Sequence, residues 1–532
     1  MDADALDTFD SRRSTIYAPR GAIATSQPLA ASAGLSILHD GGNAFDAAVA
    51  AAAALNVVEP TSTGIGGDVF ALYRTSDGDV GAMRSCGGAP EDATIDAVKS
   101  RIAAEEMPFL GPHTVTVPGT ARGWEALLHN FGERSLAETL DPAITYATDG
   151  FPVTPVIADH WQAADDLFTD THARDAYLPN GRVPHAGEHV RLPDLGDTLS
   201  TIATEGADPV YEGSIATAIV EEVRANGGLL RQEDLTTFRP EFLTPISAEY
   251  RGATIFQLPP NNQGPIVLEA LRIAESIDAT AAPPGSVSRI HHMAEAMKLA
   301  FHDGHRYISD PDYVDIPPLF DEAWIADRAA SIDDSVNSEP ELPPPGTRGE
   351  ETDTVLVTVG DDDGNLVSLI NSRFAGFGSG LVAGDTGIAL QNRGASFSLD
   401  PDDPNCLEPG KRPFHTLIPA IIQFDTDDWG AFGVMGGHMQ PQGQCQILAR
   451  LIADEMDEQR ALDAPRWRHR ATGRLAIEER LPSAVQQGLV RTGHDVVINR
   501  HSAFGGAQLV RQRPDGYAAA TEPRKDGIAT GR

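Results

Sequence analysis

A hairpin pattern about two thirds of the way along the chain constrains the fold most. A polar, Pro-rich segment, residues 339–351 (EPELPPPGTRGEE), ends just before Thr354. Two apolar runs, residues 355–359 and 366–370, follow and are separated by an Asp-Gly-Asn turn. This pattern predicts a loop, a strand, a turn and a second strand. Thr354 opens the first strand, where the simplest interpretation is an ordinary β-branched strand residue.

The charge of the chain limits its partners. Among 532 residues, 77 are acidic and 40 are basic, which gives a formal net charge of −37. Such a surface repels phosphates, so a nucleic-acid partner is disfavoured. Acid-rich surfaces with few lysines are typical of proteins adapted to high salt, which screens their self-repulsion. We therefore expect a halophilic origin.

Other features predict a protein without membrane or metal partners. The sequence has no run of 18 apolar residues that could span a membrane. Its first residues lack the basic and apolar segments of a secretory signal, which favours a cytoplasmic location. The three cysteines, Cys86, Cys406 and Cys445, form no CxxC pair. The sequence thus predicts no disulfide framework, no metal site and no cofactor.

Periodicity along the chain favours a layered α/β sandwich. Helical patterns cover residues 31–41, 44–56, 123–130, 214–226 and 288–306, and strand-like runs cover residues 69–74, 254–258 and 416–424. Helices that surround short strands, without strict alternation, are typical of such a layered fold. The one obvious flexible boundary is roughly residues 333–353, which are rich in Pro and acidic residues.

Two glycine- or acid-rich motifs have simple structural explanations. Residues 64–67 (GIGG) lack the GxxxxGK[ST] pattern of a phosphate-binding loop and precede a strand. Residues 361–365 (DDDGN) lack the spacing of an EF-hand calcium loop. We interpret both as turns, so neither nucleotide nor calcium binding is expected.

An ordered set of motifs runs through both halves of the chain. The second half contains NS (371–372), GFGSG (376–380), QNRG (391–394), PGKRPFHT (409–416) and GVMGGH (433–438). The first half contains GGNAFDA (41–47), GIGGD (64–68), VPG (117–119), DGFPV (149–153), GLLRQEDL (228–235) and LPP (258–260). In this order the motifs resemble the γ-glutamyltransferase family, from about Ala18 to beyond Arg468.

The resemblance implies a fold and a processing event. The family fold is the four-layer αββα sandwich of N-terminal nucleophile hydrolases. Cleavage between Asp353 and Thr354 would give a large subunit, residues 1–353, and a small catalytic subunit, residues 354–532. The two subunits would associate and together form one structural domain.

The chemistry of cleavage explains why a threonine would suit this position. The Thr354 hydroxyl would attack the carbonyl of Asp353, and hydrolysis of the resulting ester would leave Thr354 with a free α-amine. Such an amine has a pKa near ~7.7–8.0 and can act as a general base. One residue would then supply both nucleophile and base. The resemblance assigns the oxyanion donors to the N–H groups of Gly436 and Gly437, and a hydroxyl beside the nucleophile to Ser372.

The substrate-binding positions depart from the family pattern. Arg393 and Ser396 stand where glutathione-cleaving members hold the α-amino group with Gln and Asp. His415 and Thr416 stand at a pair of serines that contact the glutamyl carboxylate. A guanidinium repels an ammonium and attracts a carboxylate. The changes therefore predict an altered acyl-binding pocket.

Two further departures concern the entrance and the carboxylate-binding arginine. That arginine is absent at the matching position, Cys86, and Arg84 is the nearest substitute. Residues 400–409 are short compared with members that carry a lid, so we expect an open site.

The sequence leaves three functional hypotheses. The first is an autoprocessed γ-glutamyltransferase-like enzyme. It would pass a γ-glutamyl or related acyl group from a small amide or peptide donor to water, an amino acid or a peptide. The second is a glutaryl- or oxamate-type amidohydrolase, favoured by Arg393 and by the missing arginine at Cys86. The third is an uncleaved, inactive homologue that binds ligands.

Overall fold

The computed structural model describes residues 13–337 and 354–532. Asp353 and most of the predicted flexible boundary, residues 338–353, therefore lie outside the described residues. The hairpin prediction is confirmed: strands Val355–Gly360 and Leu366–Ser372 pair in antiparallel register.

The described residues contain strands and helices in the following order. The strands are β1 (Ile16–Ala18), β2 (Ala22–Thr25), β3 (Asp68–Arg74), β4 (Val80–Ser85), β5 (Phe151–Pro152), β6 (His189–Val190), β7 (Glu241–Leu243), β8 (Ile246–Tyr250), β9 (Ala253–Gln257), β10 (Val355–Gly360), β11 (Leu366–Ser372), β12 (Ala420–Asp425), β13 (Asp428–Met435), β14 (Trp467–His469), β15 (Leu475–Glu478), β16 (Val496–Asn499), β17 (Gly506–Arg513), β18 (Gly516–Thr521) and β19 (Ile528–Gly531). The α-helices are α1 (Pro28–His39), α2 (Ala44–Val58), α3 (Ile95–Ile102), α4 (Thr120–Phe131), α5 (Leu136–Asp149), α6 (Pro155–Trp161), α7 (Ala163–Leu167), α8 (Thr171–Tyr177), α9 (Pro193–Glu205), α10 (Asp208–Tyr211), α11 (Ser214–Ala225), α12 (Gln232–Thr237), α13 (Gly264–Ser276), α14 (Val287–Tyr307), α15 (Glu322–Ala329), α16 (Met439–Leu448), α17 (Glu458–Asp463) and α18 (Ser483–Thr492). Short 3₁₀ helices include Arg393–Ser396, and a π-helical turn covers Ala449–Ala453.

Two seven-stranded antiparallel sheets form the centre of the molecule. One has the order β1-β18-β17-β13-β12-β9-β8, and the other has the order β19-β2-β10-β11-β3-β4-β7. Their facing surfaces enclose an apolar core that includes Phe70, Leu356, Ile370, Ile421 and Met435. This packing places the hairpin that begins at Thr354 in the middle of the second sheet.

Helices cover the outer face of each sheet. One outer core joins α1, α2 and α5 to the second sheet, and another joins α13, α14 and α16 to the first. Helix α2 begins with a capping box between Asn43 and Asp46. Its alanines are fully buried, which allows close approach to the sheet. These layers confirm the predicted αββα sandwich.

One strand prediction is wrong at its start. The run 416–424 reads as a strand, but β12 begins only at Ala420. The preceding backbone bonds elsewhere: the His415 N–H donates to the Asn261 carbonyl at 2.9 Å, and the Gln263 amide donates to the Thr416 carbonyl at 2.8 Å. Separately, none of the described helices is both long and apolar enough to cross a membrane.

Candidate active site

The hairpin brings Thr354 beside Ser372. Because Val355 pairs with Asn371, Thr354 lies opposite Ser372, and its hydroxyl donates to Ser372 Oγ at 3.3 Å. Ser372 Oγ also accepts the Phe374 N–H at 2.9 Å. Gly67 packs against this point, where an added Cβ would lie 2.3 Å from the Ser372 carbonyl oxygen. The two hydroxyls are thus held together in a buried setting, with Thr354 only 2% exposed.

The Gly436–Gly437 turn directly follows β13. Ser368 of β11 donates to the Phe432 carbonyl at 2.7 Å, and Gly433 faces Leu356 of β10. From Phe432 to Gly433, β13 therefore moves from the middle of the hairpin toward its Thr354 end. The Gly436–Gly437 turn follows in the same direction, so it lies toward the Thr354 end of β10 and β11.

The backbone of the turn leaves the N–H groups of Gly436 and Gly437 available as hydrogen-bond donors. Both glycines have positive φ, +112° and +55°, which favours glycine. Their carbonyls accept the N–H groups of Met439 and Gln440. Neither glycine N–H donates to another residue of the described ranges. Those two N–H groups therefore have no partner among the residues that the structure describes.

Arg393 is buried with an incomplete set of hydrogen bonds. Its Nη1 donates to Thr416 Oγ1 at 2.9 Å, and its guanidinium lies 4.5 Å from the centre of the Phe374 ring. Nε and Nη2 have no partner within the described part of the chain. Burial lowers the pKa of Arg393 to about 10, although the nearby Asp68 carboxylate opposes the shift.

Asp68 and His415 form a fully buried pair next to Arg393. His415 Nε2 lies 3.0 Å from Asp68 Oδ2, and His415 Nδ1 accepts the Leu417 N–H at 3.2 Å. Since Nδ1 accepts, the neutral imidazole carries its proton on Nε2 and donates to Asp68. Burial, together with Arg393, holds the pKa of His415 well below its usual value.

Asp68 is therefore the titrating member of the pair. Its Oδ1 accepts the Gly119 N–H and the Gln391 amide, both at 3.1 Å. Burial raises the pKa of Asp68 to about 7, and this effect outweighs the nearby Arg393 charge. The carboxyl group therefore ionises at a higher pH than an ordinary aspartate does.

Two of the predicted substrate-binding residues are engaged within the protein. Arg84 donates from Nε to Glu241 at 2.8 Å, and from Nη1 to the Pro260 carbonyl and to Asn261. Its Nη2 forms an ion pair with Glu241. Each guanidinium nitrogen of Arg84 therefore already has an acceptor in the protein, and its role as a replacement carboxylate ligand stays a prediction. His415 likewise has both ring nitrogens hydrogen-bonded within the protein, and its role in substrate binding stays a prediction.

A cavity of about 420 Å³ lies against this cluster. Ser396, Thr416, Phe374 and His438 contribute to its wall, whereas Thr354 and Arg393 are not among the residues that line it. Acidic residues also line it, namely Glu105, Glu106, Asp400 and Asp403. Phe374 has a φ of +84°, which is rare for a residue with a side chain and is a form of strain found at functional sites.

Sequence reasoning missed Asp68, Phe374 and His438 as parts of this site. Asp68 was visible within the GIGGD motif, but only as the end of a glycine-rich turn. His438 follows the glycine pair directly, and its buried Nδ1 has no partner among the described residues. No local pattern distinguishes Phe374 from a core aromatic residue.

Comparison with known proteins shows which family the chain belongs to. The family model for gamma-glutamyltranspeptidase matches residues 30–532. The chain belongs to the gamma-glutamyltranspeptidase family. The predicted resemblance is therefore confirmed, as is the expectation of an enzyme with the N-terminal nucleophile hydrolase fold.

The proteins that are similar to this chain have names that refer to different activities. A glutathione hydrolase-like YwrD proenzyme from Bacillus subtilis is 37% identical, with 94% of this chain and 97% of the relative covered. An oxamate amidohydrolase proenzyme from Klebsiella pneumoniae is 36% identical over the same shares. The crystal structure of a cephalosporin acylase from Bacillus halodurans is 41% identical, with a TM-score of 0.91 and 98% of each chain covered.

Proposed function

We propose that this family member is an autoprocessed amidohydrolase or acyltransferase in which Thr354 becomes the N-terminal nucleophile. Thr354 opens a central strand, and its hydroxyl is held by Ser372. Attack on the carbonyl of Asp353 would free the Thr354 amine, which then acts as the base. The proenzyme names of two relatives support processing of this kind.

The two products, residues 1–353 and 354–532, would remain associated. Both sheets are built from the two halves: β10 pairs with β2, β11 pairs with β3, and β18 pairs with β1. Separation of the products would break the ladder hydrogen bonds of both sheets and expose the core between them. We therefore propose one structural domain with two chains after cleavage.

The Gly436–Gly437 turn is proposed as the oxyanion-binding element. Its two N–H groups have no other described partner and lie toward the Thr354 end of the sheets. An acyl transfer to Thr354 develops negative charge on the carbonyl oxygen of the substrate. Loss of one such donor typically costs roughly 2.7–4 kcal/mol of transition-state stabilisation.

The proposal for the acyl group of the substrate rests on the incomplete hydrogen bonding of Arg393. A buried donor without an acceptor costs roughly 1–3 kcal/mol, and a carboxylate would satisfy both free nitrogens in the bidentate manner typical of arginine. The contacts of Arg393 with Thr416 and Phe374 connect it to the cavity wall. We infer that the acyl group ends in a carboxylate and lacks an α-amine, as a glutaryl group does.

The acidic residues of the cavity disfavour a negative charge on the leaving group of the substrate. Glu105, Glu106, Asp400 and Asp403 line the cavity, whereas Arg393 contacts two of its lining residues, Thr416 and Phe374. The acidic side chains would repel a second anionic group by simple Coulomb repulsion. The leaving amine is therefore proposed to be neutral or cationic, and the acceptor to be water or an amine.

Matched anilides provide the test of this function. We expect kcat/KM for glutaryl-p-nitroanilide to exceed that for γ-glutamyl-p-nitroanilide, with an oxamate-type amide as the third substrate. The assays should be run in molar salt, since the acidic surface calls for screening. A strong preference for the γ-glutamyl compound would instead support the ordinary γ-glutamyltransferase hypothesis.

A further inference from the structure

Three metal-ligand side chains meet in a cluster that the proposed function does not use. His291 and Glu295 lie one turn apart on α14, and His494 follows α18. Their nearest ligand atoms all lie within 4.8 Å of one another, and all three residues are buried. The closest pair is His291 Nδ1 and His494 Nε2, which are 2.9 Å apart.

The hydrogen bonds of His291 direct a lone pair into this cluster. His291 Nε2 lies 2.8 Å from the Asp333 carbonyl oxygen, which can only accept. Nε2 therefore carries the ring proton, and Nδ1 presents a lone pair toward His494. A histidine that donates its other ring N–H to a backbone carbonyl is oriented as metal-binding histidines usually are.

Glu295 keeps one oxygen for an additional ligand. The Lys298 ammonium donates to Glu295 Oε2 at 2.5 Å, and the Asn337 N–H donates to the same oxygen at 3.2 Å. Both bonds fall on Oε2, so Oε1 is left for a metal ion. Lys298 offsets part of the Glu295 charge and thereby weakens the attraction for a dication.

We propose that His291, Glu295 and His494 bind a divalent transition-metal ion of the zinc class. Two imidazoles and one carboxylate are ligands that zinc takes in proteins. On binding, the proton that His494 Nε2 donates to His291 Nδ1 would move to His494 Nδ1, so that both imidazoles bind the ion as neutral ligands. Tetrahedral geometry with Zn–N bonds of about 2.0–2.1 Å requires the two rings to separate by only a few tenths of an ångström. This proposal departs from the sequence-based expectation of no metal site.

The position of the cluster gives the metal a structural role. Residues 291–337 precede the proposed cleavage point, whereas His494 follows it. Asp333 and Asn337 contact the cluster through their backbones, and the Val336 N–H donates to the Thr492 carbonyl. Part of the predicted flexible boundary is thus fixed to the second half. A bound ion would tie the two subunits together next to this segment.

Cobalt substitution tests the proposal on the full-length protein. After removal of metals with a chelator, Co²⁺ should bind at one ion per chain and give the visible absorption bands of tetrahedral cobalt. One equivalent of Zn²⁺ should abolish these bands. His494→Ala and Glu295→Gln should lose stoichiometric binding, and circular dichroism should show that they remain folded.

The neighbouring His292 provides the matched control. It also lies on α14, but its Nε2 faces Asp334 at 3.7 Å and it is not part of the cluster. His292→Ala should retain one ion per chain with unchanged bands. The proposal is overturned if wild type shows no tetrahedral bands, or if His292→Ala loses binding as the cluster variants do. The wild-type spectrum decides the matter even if a cluster variant fails to fold.

Discussion

Two buried arginines, Arg524 and Arg393, differ in how many of their guanidinium nitrogens donate hydrogen bonds to described residues. Arg524 donates to Glu478 from Nε and Nη2 and to Glu522 from Nη1, and it also reaches two backbone carbonyls. Although burial lowers the pKa of Arg524, these carboxylates outweigh that effect and raise it. Within the described ranges Arg393 donates one hydrogen bond, from Nη1 to Thr416, and burial lowers its pKa to about 10.

The difference separates a structural ion network from a binding group. Around Arg524 each guanidinium nitrogen has an acceptor, so removal of the side chain would leave Glu478 and Glu522 buried with one cation fewer each. Around Arg393 the nearest carboxylate, Asp68, accepts from His415, Gln391 and Gly119. The remaining donors of Arg393 require an acceptor that the described residues do not supply.

The largest expected effect is on stability at Arg524. Arg524→Met would leave Glu522 and Glu478 buried beside fewer cations, and loss of one partner of a buried pair typically costs about 3–5 kcal/mol. We expect denaturant unfolding to show a loss of this size, whereas the preference for glutaryl over γ-glutamyl substrates stays unchanged. A shift in substrate preference would remove the distinction between the two arginines.

The second effect is on specificity at Arg393. Arg393→Gln should move the kcat/KM ratio of glutaryl to γ-glutamyl anilide toward the γ-glutamyl compound by about 1–2 kcal/mol, or roughly 5- to 30-fold. Arg393→Lys is the matched control, since it keeps the charge but loses the bidentate geometry. It should keep part of the preference. An unchanged ratio in Arg393→Gln would assign Arg393 a purely structural role.

The smallest effect is on the pH dependence of binding. Below the pKa of Asp68, about 7, the carboxyl group is neutral and leaves the Arg393 charge unopposed. Above it, ionised Asp68 competes with an anionic ligand. The inhibition constant of glutarate should therefore rise from pH 6 to pH 8, by less than about 5-fold over the whole range. Asp68→Asn should flatten this rise; an equally steep rise in the variant would exclude Asp68 as the titrating group.

Local sequence patterns predicted the hairpin that brings Thr354 and Ser372 together, whereas the resemblance to the family assigned the roles of these residues. The contact of Thr354 with Ser372 follows from one hairpin, because strand alternation and the turn fix the register. The oxyanion role of the two glycines at positions 436 and 437 came from the same resemblance. The resemblance to the family supplied the layers, and the structure confirmed them.

Contacts between distant segments could not be read from the sequence. Asp68 contacts His415 because β3, which contains Asp68, lies beside the hairpin. In addition, residues 415–416 are not part of the predicted strand and instead form hydrogen bonds with Asn261 and Gln263. The metal cluster has the same origin. The spacing of His291 and Glu295 places them on one helix face, but nothing local indicates that His494 joins them.

Intact-mass analysis and N-terminal sequencing of the purified protein test the central claim most directly. The account predicts two associated chains, residues 1–353 and 354–532, the smaller with 532 − 353 = 179 residues and beginning Thr-Val-Leu-Val. Thr354→Ala should remain one chain and be inactive. A wild-type protein that hydrolyses amides while it is still a single chain of 532 residues would contradict the account.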